Sequence, residues 1–324
     1  HRTADGQTFG IVNGWGEYYG DPMHRLHADI PGIDVVLDLD GDEIWYVSTD
    51  GGLYRSTDGL ASVENLAMQG LRVSQYYSTL TSRANPDNVA AGAQDQGYQI
   101  THDSSGPEPL SFDQIISGDY AHMVSGDGTH QYVYSVYPGF ILIHGGEDEP
   151  WLGSAEFPPG EEYAWLPPLV ADTTDVESFF FCATHVYRYE LEHDGWYPVQ
   201  WSEQDFGEDW YEYISAMTFS PLDPQRGWLV TSYGRMFHSE DQGVTWTRAE
   251  DDVPTGHYFY GQALLASAFD VDTVYVGGSG YSNPAIYRRT DGGRSWHDWN
   301  DGLPDTLVYS LAEAPDNSGR VLAG

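Results

Sequence analysis

Apolar residues along the 324-residue chain come in short runs, many alternating with polar ones, and each run is closed by Gly, Asp or Asn. That period is the period of strands, not helices. The pattern predicts strands at 35–39, 44–48 and 53–56, with a turn at 50–52. A second set follows at 76–81, 88–93 and 98–101, turning at 95–97. Further sets are 122–125, 132–136 and 140–144, then 169–171, 179–183 and 187–191 with a turn at 193–195. The next two are 215–220, 227–231 and 236–239, then 263–268, 273–277 and 285–288. Strands at 307–313 and 320–323 begin a seventh set. Residues 1–23, rich in glycine and aromatics, show no clear period and read as an irregular N-terminal segment.

Residues 239–246, SEDQGVTW, punctuate this pattern with S-x-D-x-G-x-x-W. Ser239 and Asp241 supply acceptors for turn amides, Asp241 for those two residues on, and Gly243 allows a positive φ. Trp246 returns as the first large anchor of the next strand. RTDGGRSW at 289–296 repeats the turn with Asp291, Gly293 and Trp296. Weaker copies put the hairpin acids at 58, 103, about 147, about 194, 241 and 291. Four short strands at such a step are the period of a propeller blade; a solenoid repeats faster and a sandwich has no fixed period. The expected fold is therefore all-β: a β-propeller of about seven four-stranded blades, one domain over 1–324. Residues 306–324 form the first half of a last, incomplete blade, to be completed by the N-terminal segment, a missing segment or another chain.

Charge changes the picture of partners. Fifty acids against 13 bases, all of them Arg, give a formal net charge of −37. Such a surface repels nucleic acid and anionic membranes and suits high salt, cationic ligands or calcium. No apolar run is long enough to insert in a membrane. Hydrophobic content of 40% allows a sizeable core. The single cysteine, Cys182 in FFFCA, reads as a buried structural thiol. The chain starts at His1 and not at Met, and reads as a processed form or a fragment. P-loop, dinucleotide-binding, G-x-S-x-G and H-E-x-x-H patterns are absent.

The two tryptophan-terminated turns resemble Asp-box (bacterial neuraminidase, BNR) repeats. The wider string resembles bacterial secreted Asp-box propellers related to the sortilin (VPS10) N-terminal domain. It is carried by HADIPGID (27–34), STDGGLYRSTDG (48–59), GLRVSQYYS (70–78), GAQDQGYQ (92–99) and SGDYAHMVSGDG (117–128). The resemblance covers nearly the whole chain and implies fold more than activity. It also implies secretion or display at a cell surface. Relatives with H-x-D-x-H near the first blade have a histidine where this chain has Pro31, which weakens transfer of a histidine metal site.

In a four-stranded blade, the turn between strands two and three and the link to the next blade share one end, opposite the S-x-D-x-G hairpins. That end receives His24, His27, Asp29, Asp50, Gln94, Asp95, Asp119, Tyr120 and His122. Two histidines among several carboxylates could ligate a divalent cation, calcium among them, or bind a sugar. The structural alternative is that the acids and amides cap turns and His27 is a hydrogen-bonded core residue. The same end receives the links 154–165, 202–213 (with Trp210 and Tyr211) and 253–262, whose aromatic rings beside carboxylates suit a carbohydrate or a packing interface.

The expected function is extracellular binding or scaffolding, with a glycan or protein partner. One alternative is glycoside hydrolysis through paired carboxylates among Asp29, Asp50, Asp95, Asp119, Glu203, Asp205, Glu208 and Asp209. Another is a structural subunit of a surface assembly, its last blade finished by another chain. Sialidase chemistry is disfavoured: arginines on that end are limited to Arg25, Arg72 and Arg235, and the charge opposes an anionic substrate.

Overall fold

The computed structural model describes all residues except 4, 72, 103–110, 146–150, 209, 251–262, 279–283, 293–294 and 305. Several expectations fall outside the described residues: the hairpins at 103 and 147, the link 253–262, and the residues Arg72, Asp209 and Gly293. The chain packs as two compact units, 1–123 and 124–324.

Unit 1 holds two antiparallel sheets, each in sequence order. The first contains β1 (Gly32–Leu37), β2 (Glu43–Thr49), β3 (Gly52–Ser56) and β4 (Glu64–Asn65). The second contains β5 (Tyr76–Thr81), β6 (Val89–Ala93), β7 (Gly97–Thr101) and β8 (Asp113–Ile116). β9 (Ala121–Val124), β10 (Tyr132–Tyr137), β11 (Phe140–Gly145) and β12 (Trp151–Glu156) make a third sheet, and the unit boundary falls within β9. Unit 2 continues with β13 (Leu169–Ala171), β14 (Phe179–Cys182), β15 (Val186–Glu192) and β16 (Gly195–Gln200). Next come β17 (Ile214–Phe219), β18 (Gly227–Thr231), β19 (Met236–Ser239) and β20 (Thr247–Arg248). They are followed by β21 (Leu264–Ala266), β22 (Val274–Gly277), β23 (Ile286–Arg289) and β24 (His297–Asp298). β25 (Leu311–Glu313) and β26 (Val321–Ala323) form a two-stranded sheet.

The second strand of most sheets is a continuous apolar or small-residue run: VAAGA in β6, FFFC in β14, GWLVT in β18 and VYVG in β22, buried nearly throughout. Such runs lie between two paired neighbours and are covered on both faces, so alternation disappears. Phe179, Phe180 and Phe181 are fully buried, each contributing roughly 1.5–3 kcal/mol by removal from water. The Cys182 thiol lies beside them and burial pushes its pKa far up, as an inert structural thiol requires.

Several boundaries differ from the pattern. β1 ends at Leu37, and 38–42 form a turn in which Asp38 Oδ1 accepts from the amides of Asp40 and Asp42, each at 2.9 Å. The apolar Leu39 sits exposed on that turn, because the local Asp–amide bonds outbid strand pairing. Link 154–165 begins inside β12, where it pairs with β11. The N-terminal segment contains a 3-10 helix at Trp15–Gly20, whose Tyr18 is fully buried against Leu26, Val47 and Tyr54.

The hairpin between β19 and β20 shows how the S-x-D-x-G-x-x-W turn holds. Gln242 and Gly243 both adopt left-handed conformations, φ 60° and 85°. Ser239 Oγ donates to Asp241 Oδ1 (2.8 Å) and accepts from the amide of Gly243 (2.8 Å). Asp241 takes its backbone bond from Thr245 (2.9 Å), four residues on and not two, because the left-handed pair folds that amide inward. The Thr245 hydroxyl donates to its other oxygen at 2.6 Å. Trp246 packs with Phe206, Leu229 and Phe237 and donates its indole N–H to Gly243 O (2.8 Å). Ser56, Asp58 and Ser62 repeat the pattern in unit 1, and Asp291 with Ser295 in unit 2.

Candidate functional site

The polar side chains that the sequence placed on one end of the first two sheets converge around Asp95, in the turn between β6 and β7. Asp95 has φ 54°, a left-handed conformation available to a short polar side chain but costly enough to need fixing. Every polar group of the residue is fixed. Its amide donates to Asp119 Oδ1 (3.2 Å), and its carbonyl accepts from Tyr18 Oη (2.7 Å) and the amide of Gly118 (3.1 Å). Its carboxylate faces His27 Nε2 at 2.9 Å, with the two side chains only 7% and 4% exposed.

His27 Nδ1 lies 3.2 Å from the Ala28 carbonyl oxygen, which can only accept. With a carbonyl on one ring nitrogen and a carboxylate on the other, both nitrogens donate, and the ring is an imidazolium. Burial opposes that charge, but the hydrogen bond and charge of Asp95 outweigh it, so the pKa is raised. Tyr18 packs edge-on to His27, centroids 4.6 Å apart. Gly51, in the β2–β3 turn, makes this approach possible: a Cβ there would lie 2.8 Å from the Tyr18 hydroxyl and 2.9 Å from His27 Cβ.

Asp119 is half-buried and accepts from the Tyr77 hydroxyl at 3.4 Å. Burial, and then the charge of Asp95, raise its pKa. Burial and Asp119 in turn raise that of Tyr77. The cluster therefore pairs a charged His–Asp couple with a neighbouring acid that holds its proton more tightly than usual, the kind of group able to deliver one.

The other predicted residues distribute around this centre. Gln94 Nε2 donates to Asp50 Oδ2 at 3.4 Å, joining the turns of the first two sheets. Asp29, φ 49°, is exposed and contributes charge near His27. His24 points away and pairs with Asp21 on the surface. Tyr120 is buried against Tyr98, and His122 is buried in β9 with φ 49°. Trp210 and Tyr211 belong to unit 2, as do Glu203, Asp205 and Glu208. Glu208 pairs with Arg235 at 2.7 Å. Among the described residues, no three His, Cys, Asp or Glu side chains come together as a metal centre requires.

Tyr18 and Tyr77 went unrecognised in the sequence. Tyr18 lies in a segment without period, and Tyr77 reads as an ordinary strand residue; only the adjacent glycines, GWGEYYG and DGG, hint at close packing. A groove beside the cluster was also missed. It has a volume of about 580 Å³ and is lined by Ser74, Tyr76, Gln96, Gln99, Phe112 and Gln114, with Ala67, Met68, Gly70 and Ser111. A second hollow of about 320 Å³, reaching Asp50 and Gln94, shares Ala67, Ser74 and Gln96 with it. The walls are set by an internal network: Ser74 Oγ donates to Gln96 Oε1 (2.5 Å), Tyr76 Oη to Gln99 Oε1 (3.0 Å), and Gln114 Nε2 to Gln96 O (2.7 Å).

Unit 2 uses acids on the same end differently. Glu161, from the link before β13, accepts from Tyr187 Oη (2.8 Å) and the His185 amide (3.2 Å), and also from the Thr184 hydroxyl. Glu212, before β17, accepts from Thr231 Oγ1 (2.5 Å) and Arg235 Nε (2.8 Å). Each link acid clamps the turn between the second and third strands of its own sheet.

No family model matches the chain, and no curated protein matches it. Solved structures do. YCF48 from Cyanidioschyzon merolae aligns with TM-score 0.50 at 11% identity over 76% of this chain and 79% of that one. The extracellular domain of the hybrid two component system BT4673 from B. thetaiotaomicron aligns with TM-score 0.58 at 10% identity, covering 93% of this chain and 38% of that one. A chain of the Mitotic Checkpoint Complex aligns with TM-score 0.56 at 12% identity, over 93% and 90%. Among the described residues no helix is long and apolar enough to cross a membrane. At these identities the likeness bears on fold alone, and the fold it establishes is the β-propeller, built here of four-stranded antiparallel sheets with a two-stranded last one.

Proposed function

We propose that this chain is an extracellular binding propeller of the Asp-box class that holds a neutral glycan in the groove between its first two sheets. The observation that carries the reading is chemical. In a chain of net charge −37, the lining of the larger groove contains no charged side chain among the described residues. Carboxamides and hydroxyls line it instead, with Tyr76 and Phe112 rings at 6.0 Å. Carboxamides give and take hydrogen bonds together, as sugar hydroxyls do, and aromatic faces cover the C–H surface of a pyranose. Prior engagement of Gln96 and Gln99 in the internal network supports a preorganised site, which lowers the cost of binding. A binding or scaffolding role accords with propeller relatives that bind peptides or proteins.

A neutral oligosaccharide array, followed by calorimetry on any hit, tests this. Binding should be insensitive to salt between 0.05 and 0.5 M, and Tyr76→Ala or Gln114→Ala should weaken it about tenfold, the equivalent of about 1.4 kcal/mol. Array silence, or variants that bind like the wild type, would remove the glycan from the groove.

A further inference from the structure

A separate surface in unit 2 has features that the fold itself does not use. The link 202–213, between β16 and β17, is anchored at two points. Phe206 is fully buried and its carbonyl accepts from Arg235 Nη2 (2.5 Å); Glu212 is buried on Thr231 and Arg235. Between these anchors the chain rises to the surface and presents two adjacent rings, Trp210 and Tyr211, 82% and 57% exposed, with centroids 4.7 Å apart. A third ring, Tyr233 from the β18–β19 turn, is 54% exposed, and its hydroxyl donates to the Trp210 carbonyl at 3.0 Å. Tyr211 also has φ 62°, a conformation in which a bulky side chain is strained and glycine is not. Three exposed rings add little to a core, and the strain opposes folding. Such a combination belongs to a surface kept for contact.

The occupant follows from charge. The segment 202–213 carries five acids and no base, and Glu203 and Asp205 are exposed beside the rings. The one nearby cation, Arg235, is already paired with Glu208 (2.7 Å) and Glu212 (2.8 Å). Aromatic faces attract cations through their quadrupole, and an acidic surround steers a cation to them and strengthens the contact. We propose that Trp210, Tyr211 and Tyr233 form a docking platform for a basic segment of a partner protein, with a Lys or Arg side chain seated over the rings. This surface is independent of the groove in unit 1, so either can fail without the other.

The test is tryptophan fluorescence and calorimetry on the whole chain with a blocked hexapeptide of alternating Arg and Gly. A Glu-Gly counterpart and maltohexaose serve as comparison probes. The Arg peptide should bind, the Glu peptide and maltohexaose should not displace it, and raising salt from 0.05 to 0.3 M should weaken it at least tenfold. Trp210→Ala should weaken binding about tenfold and Tyr233→Phe about twofold, with unchanged melting temperatures because these side chains are exposed. Tyr211→Gly, which removes a ring and relieves the backbone, should melt slightly higher yet bind more weakly. If Trp210→Ala binds the Arg peptide like the wild type, attraction is merely to net acidity and the platform is refuted. Saturable maltohexaose binding that Trp210→Ala abolishes, with the peptide inert, would make the surface a sugar platform instead; no binding of any probe also overturns the proposal.

Discussion

In the hairpin between β19 and β20 the Asp241 carboxylate collects a serine hydroxyl, a threonine hydroxyl and a backbone amide. At the start of the third sheet Asp119 receives one amide and one distant tyrosine hydroxyl, and it faces another carboxylate. Burial works against the charge in both places. At Asp241 the Thr245 and Ser239 hydrogen bonds outweigh it and the pKa falls; Asp58, bonded first by the Ser62 hydroxyl and amide, is held down at about 2. At Asp119 nothing outweighs burial and the repulsion of Asp95, and the pKa rises. The same side chain is structural where the local chain supplies donors, and reactive where distant segments bring a second acid to it.

The largest effect should come from the buried couple in that second region. His27→Leu leaves the Asp95 carboxylate desolvated and unpaired, and should cost about 3 kcal/mol in a urea unfolding curve. Asp95→Asn in the His27→Leu background should recover much of it, whereas His24→Ala, at the exposed pair three residues away, should change stability by less than about 0.5 kcal/mol. Because the His27 pKa is raised, its contribution is complete below the unfolded value of about 6.5 and fades as pH climbs through the folded one. The gap between wild type and His27→Leu should narrow at alkaline pH. A constant gap would mean that packing and not charge holds the couple.

A smaller loss is expected in the first region. Asp241→Ala removes three hydrogen bonds from a hairpin whose Trp246 is a core residue, and should lower stability by about 2 kcal/mol. Retention of wild-type stability would show that Trp246 alone sets the turn.

Asp119→Asn should give the smallest change, and of opposite sign. A raised carboxyl pKa means that the folded chain binds more protons than the unfolded one. The Asp119 charge therefore costs stability as pH rises from the ordinary carboxylate value through the raised one, and at every pH above. The variant should unfold at higher urea than wild type at pH 7 and match it at pH 3. Asp241→Asn should show the reverse, with its deficit at pH 7 shrinking as pH falls through the depressed value. Parallel pH profiles for both variants would erase the distinction between the two regions.

The strands were legible because their apolar runs and turn residues are local: β18 and β19 match their predicted limits, as do β5 and β13. Fourth strands were harder to see, because β4, β20 and β24 are two residues each and carry no period of their own. In the site, His27, Asp95 and Asp119 could be named because sheet order alone puts their turns on one end. Tyr18 could not, because a 3-10 helix in a segment without period brings it to a carbonyl 77 residues away.

By itself the sequence determined the all-β class, the step of the repeat and the donors of each tight hairpin, since all three depend on residues within a few positions of one another. Tertiary structure decided which acids matter. Whether an aspartate gives up or keeps its proton depends on how many donors and charges reach it, and at Asp95 and Asp119 these come from segments tens of residues apart. The uncharged groove has the same origin, because its carboxamides come from separate strands and meet only when the first two sheets pack side by side.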